Sequence, residues 1–221
     1  MVFGKIEYLN LLPFHIFMKR YTKSSQQSIS MNYYKSVPAK INREFLSRRV
    51  DAAFISSISA KKHQHVDLGI IAKKEVLSVL VIPSDKKKID IESASSNILA
   101  DILNIKGRVL IGDKALKHYL QDKPNIDLAQ EWNKRYKLPF VFALLCFHKD
   151  KKLYKNIQNN FLKHKIKIPS YILKQASART QISPKDILNY LKYISYDLDK
   201  KAKQGLKAFY IKESKLSSSR R

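Results

Sequence analysis

Two apolar runs constrain this chain more than any other feature: "EVLSVLVIP" (residues 75–83) and "LPFVFALLCFH" (residues 138–148). Neither approaches the ~20 residues a membrane span needs. Both are too continuous for a strand with one solvated face, so each reads as a buried strand. The segment between them carries its own signals: "KIDIE" and "RVLIG" read as strands, "SASSNILADIL" and "DLAQEWNKRY" as helices. In the second helix Asp127 and Gln130 stand at capping-box spacing. A self-contained α/β insert between two long strands predicts two lobes joined by a double crossover. The expected division is 1–82 with 143–221 as a discontinuous first lobe, and 83–142 as the second. Clefts between lobes are preferred ligand sites.

Ahead of the first run the pattern is βαβαβ, which marks an α/β sheet. Residues 3–9 alternate and meet Pro13, a strand followed by the helix "LPFHIFMKRY" with proline in its first turn. "SISMNYYKS" (28–36) reads as a second strand, and "PAKINREFLSRRV" as a helix with Ile41, Phe45 and Leu46 on one face. "DAAFISSIS" (51–59) is an apolar run ending in serines and reads as a buried parallel strand. After residue 150 the chain reads as helical. "SPKDILNYLKYISYDL" is expected to be one helix, with Ser183 as N-cap, Pro184 at its first position and Asp186 three residues on. "KKAKQGLKAFYIK" is expected to pack on the first lobe, and "SKLSSSRR" to fray.

Composition removes several function classes. Glu7, Asn10, Pro13 and His15 interrupt any apolar core of a signal peptide. A single cysteine, Cys146, excludes an intrachain disulfide framework and fits a reducing compartment, so the expected location is the cytoplasm. The net charge is +25, from 43 Lys and Arg against 18 Asp and Glu. Such an excess admits nucleic acid, an anionic membrane or a small acidic ligand as partner. Here the lysines are dispersed (Lys61, Lys62, Lys86, Lys88, Lys149, Lys152, Lys163, Lys167, Lys200, Lys203) and form no aromatic-interleaved stripe. No zinc finger, RNA-recognition motif or basic zipper is present. A solvated surface is the favoured reading, with no nucleic-acid partner and no membrane span.

The usual catalytic motifs are mostly missing. His63 and His65 lie in a lysine-rich loop without a cysteine, a pattern more common for exposed loop histidines than for a metal site. Cys146 and His148 share a strand face, where a catalytic pair competes with the commoner buried structural cysteine. There is no G-x-G-x-x-G and no Walker loop. What remains are small polar residues at ends of apolar strands: Asn10 after "IEYL", Ser56 and Ser57 after "AAFI", Ser78 inside "VLSVLV", and Gly112 with Asp113 after "RVLI". Ligands bind at such carboxyl ends in open α/β sheets. Ser95, Ser96 and Asn97 add hydroxyl and amide groups at a helix start, which suits a carboxylate. Asn10, beside leucines, most needs a polar partner.

Six stretches in order, "KIEYLNLLPF", "VPAKINREFLSRRVDAAFISSIS", "VLSVLV", "SASSNIL", "VLIGDKAL" and "DLAQEWNKRYKLPFVFAL", resemble the chorismate dehydratases of the futalosine route to menaquinone. The likeness covers residues 3–145 and extends into the helical remainder. One departure stands out: the family usually has a glycine shortly before the serine of its "SVLL"-like strand, and this chain reads "AKKEVLSVLV".

The resemblance implies a two-lobed, type II periplasmic-binding-protein-like α/β fold with an interlobe site, used without metal or organic cofactor. It implies a lyase that converts chorismate, a dicarboxylate, to 3-[(1-carboxyvinyl)oxy]benzoate and water. Asn10 and Ser78 would hydrogen-bond the reacting region. Ser95, Ser96 and Asn97 would receive a carboxylate, and Ser56, Ser57, Gly112 and Asp113 would line the cleft. No motif offers a general base, so the substrate's enolpyruvyl carboxylate is expected to take the proton with Asn10 orienting it. The rivals are a non-catalytic solute-binding protein of the same fold and a basic nucleic-acid-binding protein.

Overall fold

Short β-branched and aromatic runs at the N-terminus build three parallel strands: β1 (Val2–Lys5) lies between β2 (Asn32–Lys35) and β3 (Ala52–Ser56). The computed structural model describes residues 1–23, 31–86 and 88–218. Residues 28–30 of the expected second strand and residues 219–221 of the tail lie outside them. The sheet continues through β8 (Phe140–Phe147), β4 (His65–Ala72) and β9 (Ile194–Asp197), in the order β2-β1-β3-β8-β4-β9. β8 runs antiparallel to β3 and β4, and β9 antiparallel to β4, so the sheet is mixed. A second sheet of three strands has the order β6 (Arg108–Ile111), β5 (Val79–Ile82), β7 (Ile126–Asp127).

The chain therefore crosses to the small sheet between Ala72 and Val79 and returns before Phe140. Val79–Ile82, which the sequence division put with the first lobe, is hydrogen-bonded in the small sheet. Helices α1 (Leu12–Lys23), α2 (Pro38–Leu46) and the short α3 (Ser57–Ala60) follow strands of the large sheet. Helices α4 (Ala94–Leu103), α5 (Gly112–Leu120) and α6 (Leu128–Tyr136) belong to the insert. Then come α7 (Lys151–Lys163), α8 (Ser170–Thr180), α9 (Pro184–Tyr190) and α10 (Lys200–Ser218). No described helix is long and apolar enough to cross a membrane.

Several expected elements are shorter than the sequence suggests. "DAAFISSIS" is a strand only to Ser56, and its serines then wind into α3. "EVLSVLVIP" yields four strand residues because Leu77, at φ 60°, breaks the extended run. "KIDIE" makes a single bridge, Lys88 to Arg108. Asn97 takes both backbone groups of Asp90, at 3.0 and 2.7 Å, and turns the chain into α4. The expected helix 183–198 ends at Tyr190, and Ile194–Asp197 pairs instead with the free edge of β4. The expected frayed tail is helical to Ser218.

Packing fixes the lobes. Phe14 of α1 meets Phe54 and Phe161 edge to face, with ring centroids 4.9 and 5.3 Å apart. Buried Trp132 of α6 donates to the Pro139 carbonyl at 3.2 Å. Helix α10 packs on β8 and α4, touching both parts of the molecule. It can do so because Gly205 has no side chain: a Cβ there would stand 2.1 Å from the Pro139 oxygen.

Candidate active site

A cavity of about 90 Å³ lies where the two sheets face each other. Its apolar wall includes Ile6, Phe54, Ile70, Val79, Ile111 and Phe142. Its polar groups are Tyr8, Asn10, Asn42, Ser56, Ser78, Glu92, Ser93 and Ser96. None of the lining residues is Lys, Arg or His, and the ionisable ones are Tyr8 and Glu92.

Asn10 enters the cavity from the 3-10 turn Leu9–Leu11 and not from a strand end, because β1 stops at Lys5 instead of running on to residue 9 as expected from the sequence. Its carbonyl accepts a hydrogen bond from the Tyr196 hydroxyl at 2.7 Å. Its side-chain Oδ1 is buried with no partner. Ser78, also buried, stands just before β5, with Oγ 2.8 Å from the hydroxyl of buried Tyr190. Burial pushes the Tyr190 phenol above its ordinary range, and its Ser78 partner acts in the opposite direction.

The bend before Ser78 is held from a distance. Leu77 has a left-handed φ of 60°, a conformation glycine adopts freely and leucine at a cost of roughly 1 kcal/mol or more. The Asp127 carboxylate accepts the N–H of Val76 at 2.9 Å and of Leu77 at 2.7 Å on one oxygen. Its other oxygen caps α6 through Ala129 and Gln130. Two of the four backbone bonds that Asp127 accepts thus hold the Val76–Leu77 bend that presents Ser78, and the other two fix the carboxylate to α6.

Of the nine residues singled out from sequence, Asn10, Ser56, Ser78, Ser96 and Gly112 line the cavity; Ser57, Ser95, Asn97 and Asp113 do not. The last four are consumed by bonds between elements. Ser57 and Ser95 join α3 to α4 through their hydroxyls, 3.0 Å apart, and Ser95 also accepts from the Ile58 N–H. Asn97 serves Asp90. Asp113 accepts from the Leu9 N–H at 2.9 Å and from Arg179 at 3.0 Å; burial, the larger effect, still raises its carboxyl above the usual range.

Ser56 accepts from Asn42 at 3.2 Å and donates to Ser59 at 3.0 Å. Ser93 caps α4 and gives its proton to Ser96 at 2.6 Å, so the Ser96 proton is left to point elsewhere. The cavity thereby abuts the positive end of a ten-residue helix.

Sequence reasoning missed Tyr8, Asn42, Glu92, Ser93 and Tyr190. Tyr8 donates to Glu92 Oε2 at 2.7 Å, across 84 residues of chain. Its ring covers Gly112, whose φ is 69°. The histidines are structural: His148 stacks on Phe45 at 4.1 Å and His63 meets the same ring at 5.2 Å. His65 opens β4 rather than lying in a loop. Cys146 is buried and unpaired, with its thiol pushed up to about 12 by burial. That makes it inert. Among the described residues no three His, Cys, Asp or Glu side chains are grouped to hold a metal.

Comparison with known proteins gives the family and the fold. A family described as menaquinone biosynthesis matches residues 1–106 and 89–214. The chain is 46% identical over 213 residues to a chorismate dehydratase of Campylobacter jejuni, covering 95% of this chain and 96% of that one. Among solved structures, a protein from Archaeoglobus fulgidus superimposes with a TM-score of 0.74 at 11% identity, over 98% of this chain and 97% of the other. A Candida albicans protein with the generic periplasmic binding protein fold gives 0.55 at 15% identity, over 96% and 90%. These two establish the fold alone, the two-lobed periplasmic-binding-protein type expected from sequence.

Proposed function

The chain belongs to the menaquinone biosynthesis family, and we propose that it is a chorismate dehydratase, a hydro-lyase that turns chorismate into 3-[(1-carboxyvinyl)oxy]benzoate and water. The observation that carries this reading is an interlobe cavity whose apolar wall bears Asn10 and Ser78, with Ser78 Oγ hydrogen-bonded to buried Tyr190 behind it. That is a sparse site for a reaction that needs little. Removal of the C3 proton of chorismate leaves an anion conjugated with the ring carboxylate. Loss of the C4 hydroxyl, with its bonding pair, then completes a benzene ring. Aromatisation drives the second step, so the protein has to hold the substrate and stabilise the anion.

The substrate is a dianion, and the wall offers it hydroxyls, amides and a helix N-terminus in place of cations. In a dry pocket such donors are worth more than in water. Ser78 and Ser96 are the hydroxyls we assign to carboxylate oxygens, and Asn42 and Ser56 support that side of the wall. Glu92, the negative group of the wall, is assigned to the end of the substrate that carries the neutral C4 hydroxyl. The enolpyruvyl carboxylate takes the C3 proton and returns it to the departing hydroxide, which balances the release of water without a protein base.

A cavity of about 90 Å³ is smaller than the ~300–1,000 Å³ of typical ligand pockets, so the substrate enters as the lobes part. On this reading the enzyme works in the cytoplasm, which keeps the Cys146 thiol reduced. Purified protein incubated with chorismate and followed by mass should form the carboxyvinyloxybenzoate. Binding of chorismate without product would overturn the reading in favour of a solute-binding role. An analogue lacking the enolpyruvyl carboxylate should bind without turning over.

A further inference from the structure

We infer that Asp113 is a positioning residue that couples closure of the two lobes to the placement of Asn10 against Ser78. The inference rests on the chorismate reading. Asp113 lies in the first turn of α5, in the insert, and does not line the cavity. Its Oδ1 accepts the N–H of Leu9 at 2.9 Å, across 104 residues of chain. Its Oδ2 meets Arg179 Nη1 of α8 at 3.0 Å.

Leu9 opens the 3-10 turn that carries Asn10, and its N–H is one of the donors a helical turn leaves without an internal partner. Tyr8, the N-cap, gives that turn no side-chain bond. The cap that a serine or aspartate at residue 8 would supply locally comes instead from the other lobe. Leu9 is fully buried, so its N–H has to be met by protein.

The residue before Asp113 completes the link. Gly112 donates its N–H to the Ser78 carbonyl at 2.9 Å. Two successive residues of α5 thus hold both halves of the proposed site, Ser78 through the backbone of one and the Asn10 turn through the side chain of the other. The two bonds differ in kind. Ser78 and Gly112 flank Val79 and Ile111, which pair in the small sheet, so they stay together when the lobes part. Leu9 belongs to the lobe of the large sheet, so its bond to Asp113 exists only when the lobes are closed. The other anchor of the turn, Tyr196 of β9 on the Asn10 carbonyl at 2.7 Å, lies in the large sheet and is indifferent to closure. An open cleft therefore leaves the turn held at one end. Closing adds the bond that sets Asn10 at a fixed distance from Ser78.

The test is Asp113→Ala beside Asp113→Asn and Arg179→Met. Wild-type turnover is scored first; its absence overturns the chorismate reading and this inference with it. Given turnover, kcat of Asp113→Ala should fall by about ten- to a hundredfold, the scale of a small misplacement of a catalytic group, with KM changed less. Asp113→Asn keeps an oxygen for the Leu9 N–H and should recover most of that loss. Arg179→Met leaves the Leu9 bond in place and should cost little. In an Asn10→Ala background Asp113→Ala should lower kcat far less, because the group it places is gone. A near-normal kcat with a lowered Tm in Asp113→Ala, an asparagine variant as slow as the alanine one, or losses that simply multiply in the double variant would each overturn the inference. If Asp113→Ala does not fold, Asp113→Ser, whose hydroxyl stops short of Leu9, passes through the same cycle.

Discussion

The ring of Tyr8 lies directly on the α-carbon of Gly112, so that a β-carbon at 112 would stand 2.6 Å from Tyr8 Cζ. Tyr8 follows β1 of the large sheet, and Gly112 opens α5 at the end of β6 in the small one. Gly112→Ala should therefore act twice, through the clash and through a backbone φ of 69° that alanine resists. The expected Tm loss is modest, since the strain is about 1 kcal/mol, but turnover should fall at least tenfold as Tyr8 is pushed off the cavity wall. Near-normal kcat/KM for this variant would mean that the Tyr8–Gly112 contact is unimportant to the site.

Glu92 is the carboxylate of the cavity wall, and its bond from Tyr8 is 2.7 Å long. If the substrate supplies its own base, Glu92→Gln keeps an acceptor for Tyr8 and should cost activity no more than about tenfold, the worth of one hydrogen bond. A loss of several thousandfold, with a pH–rate profile that loses its acidic limb, would reassign proton abstraction to Glu92.

How much of this could be read from the chain depends on distance along it. The cap of α9 by Ser183 was legible because its partner, Asp186, is three residues away. Half of Asp127 was legible for the same reason: its cap of α6 is local, while its hold on Val76 and Leu77 spans fifty residues. Tyr190 carried no signal, because an aromatic at a helix end looks like core until Ser78, 112 residues away, is seen to bond its hydroxyl. Ser57, Ser95 and Asp113 had the right chemistry at the right kind of position, yet each found a partner on another element before it could face the cavity. Ile194–Asp197 became a strand only because β4 had an open edge to pair with.

His15 gives the fold a pH dependence of defined sign. Its Nε2 bonds the Ile6 carbonyl at 2.8 Å, and Nδ1 is buried without a partner. Burial pulls its pKa down to about 4; the Ile6 bond and Glu7 oppose this, and Lys5 and Lys35 add to it. The unfolded chain takes up that proton near 6.5, the folded one near 4, so stability is full above pH 6.5 and is lost as pH falls through that window. The loss is at most about 3 kcal/mol. Asp113 and Asp127, raised by burial, act in the opposite sense. Tm measured from pH 7 to 4.5 should fall for the wild type and stay flatter for His15→Gln. Parallel curves would remove His15 as the cause.

The most direct test of the whole account is the rate at which Asn10→Ala converts chorismate, measured beside the wild type by product mass with Tm recorded on the same samples. Asn10 lines the cavity from a 3-10 turn and its loss opens no large hole in the core. Removing one preorganised contact to a developing charge typically costs ~10²–10³ in kcat. The account predicts a fall of that size with Tm within a few degrees of wild type. A variant that keeps its fold and turns over at close to the wild-type rate would contradict it, and would place the chemistry away from this cavity.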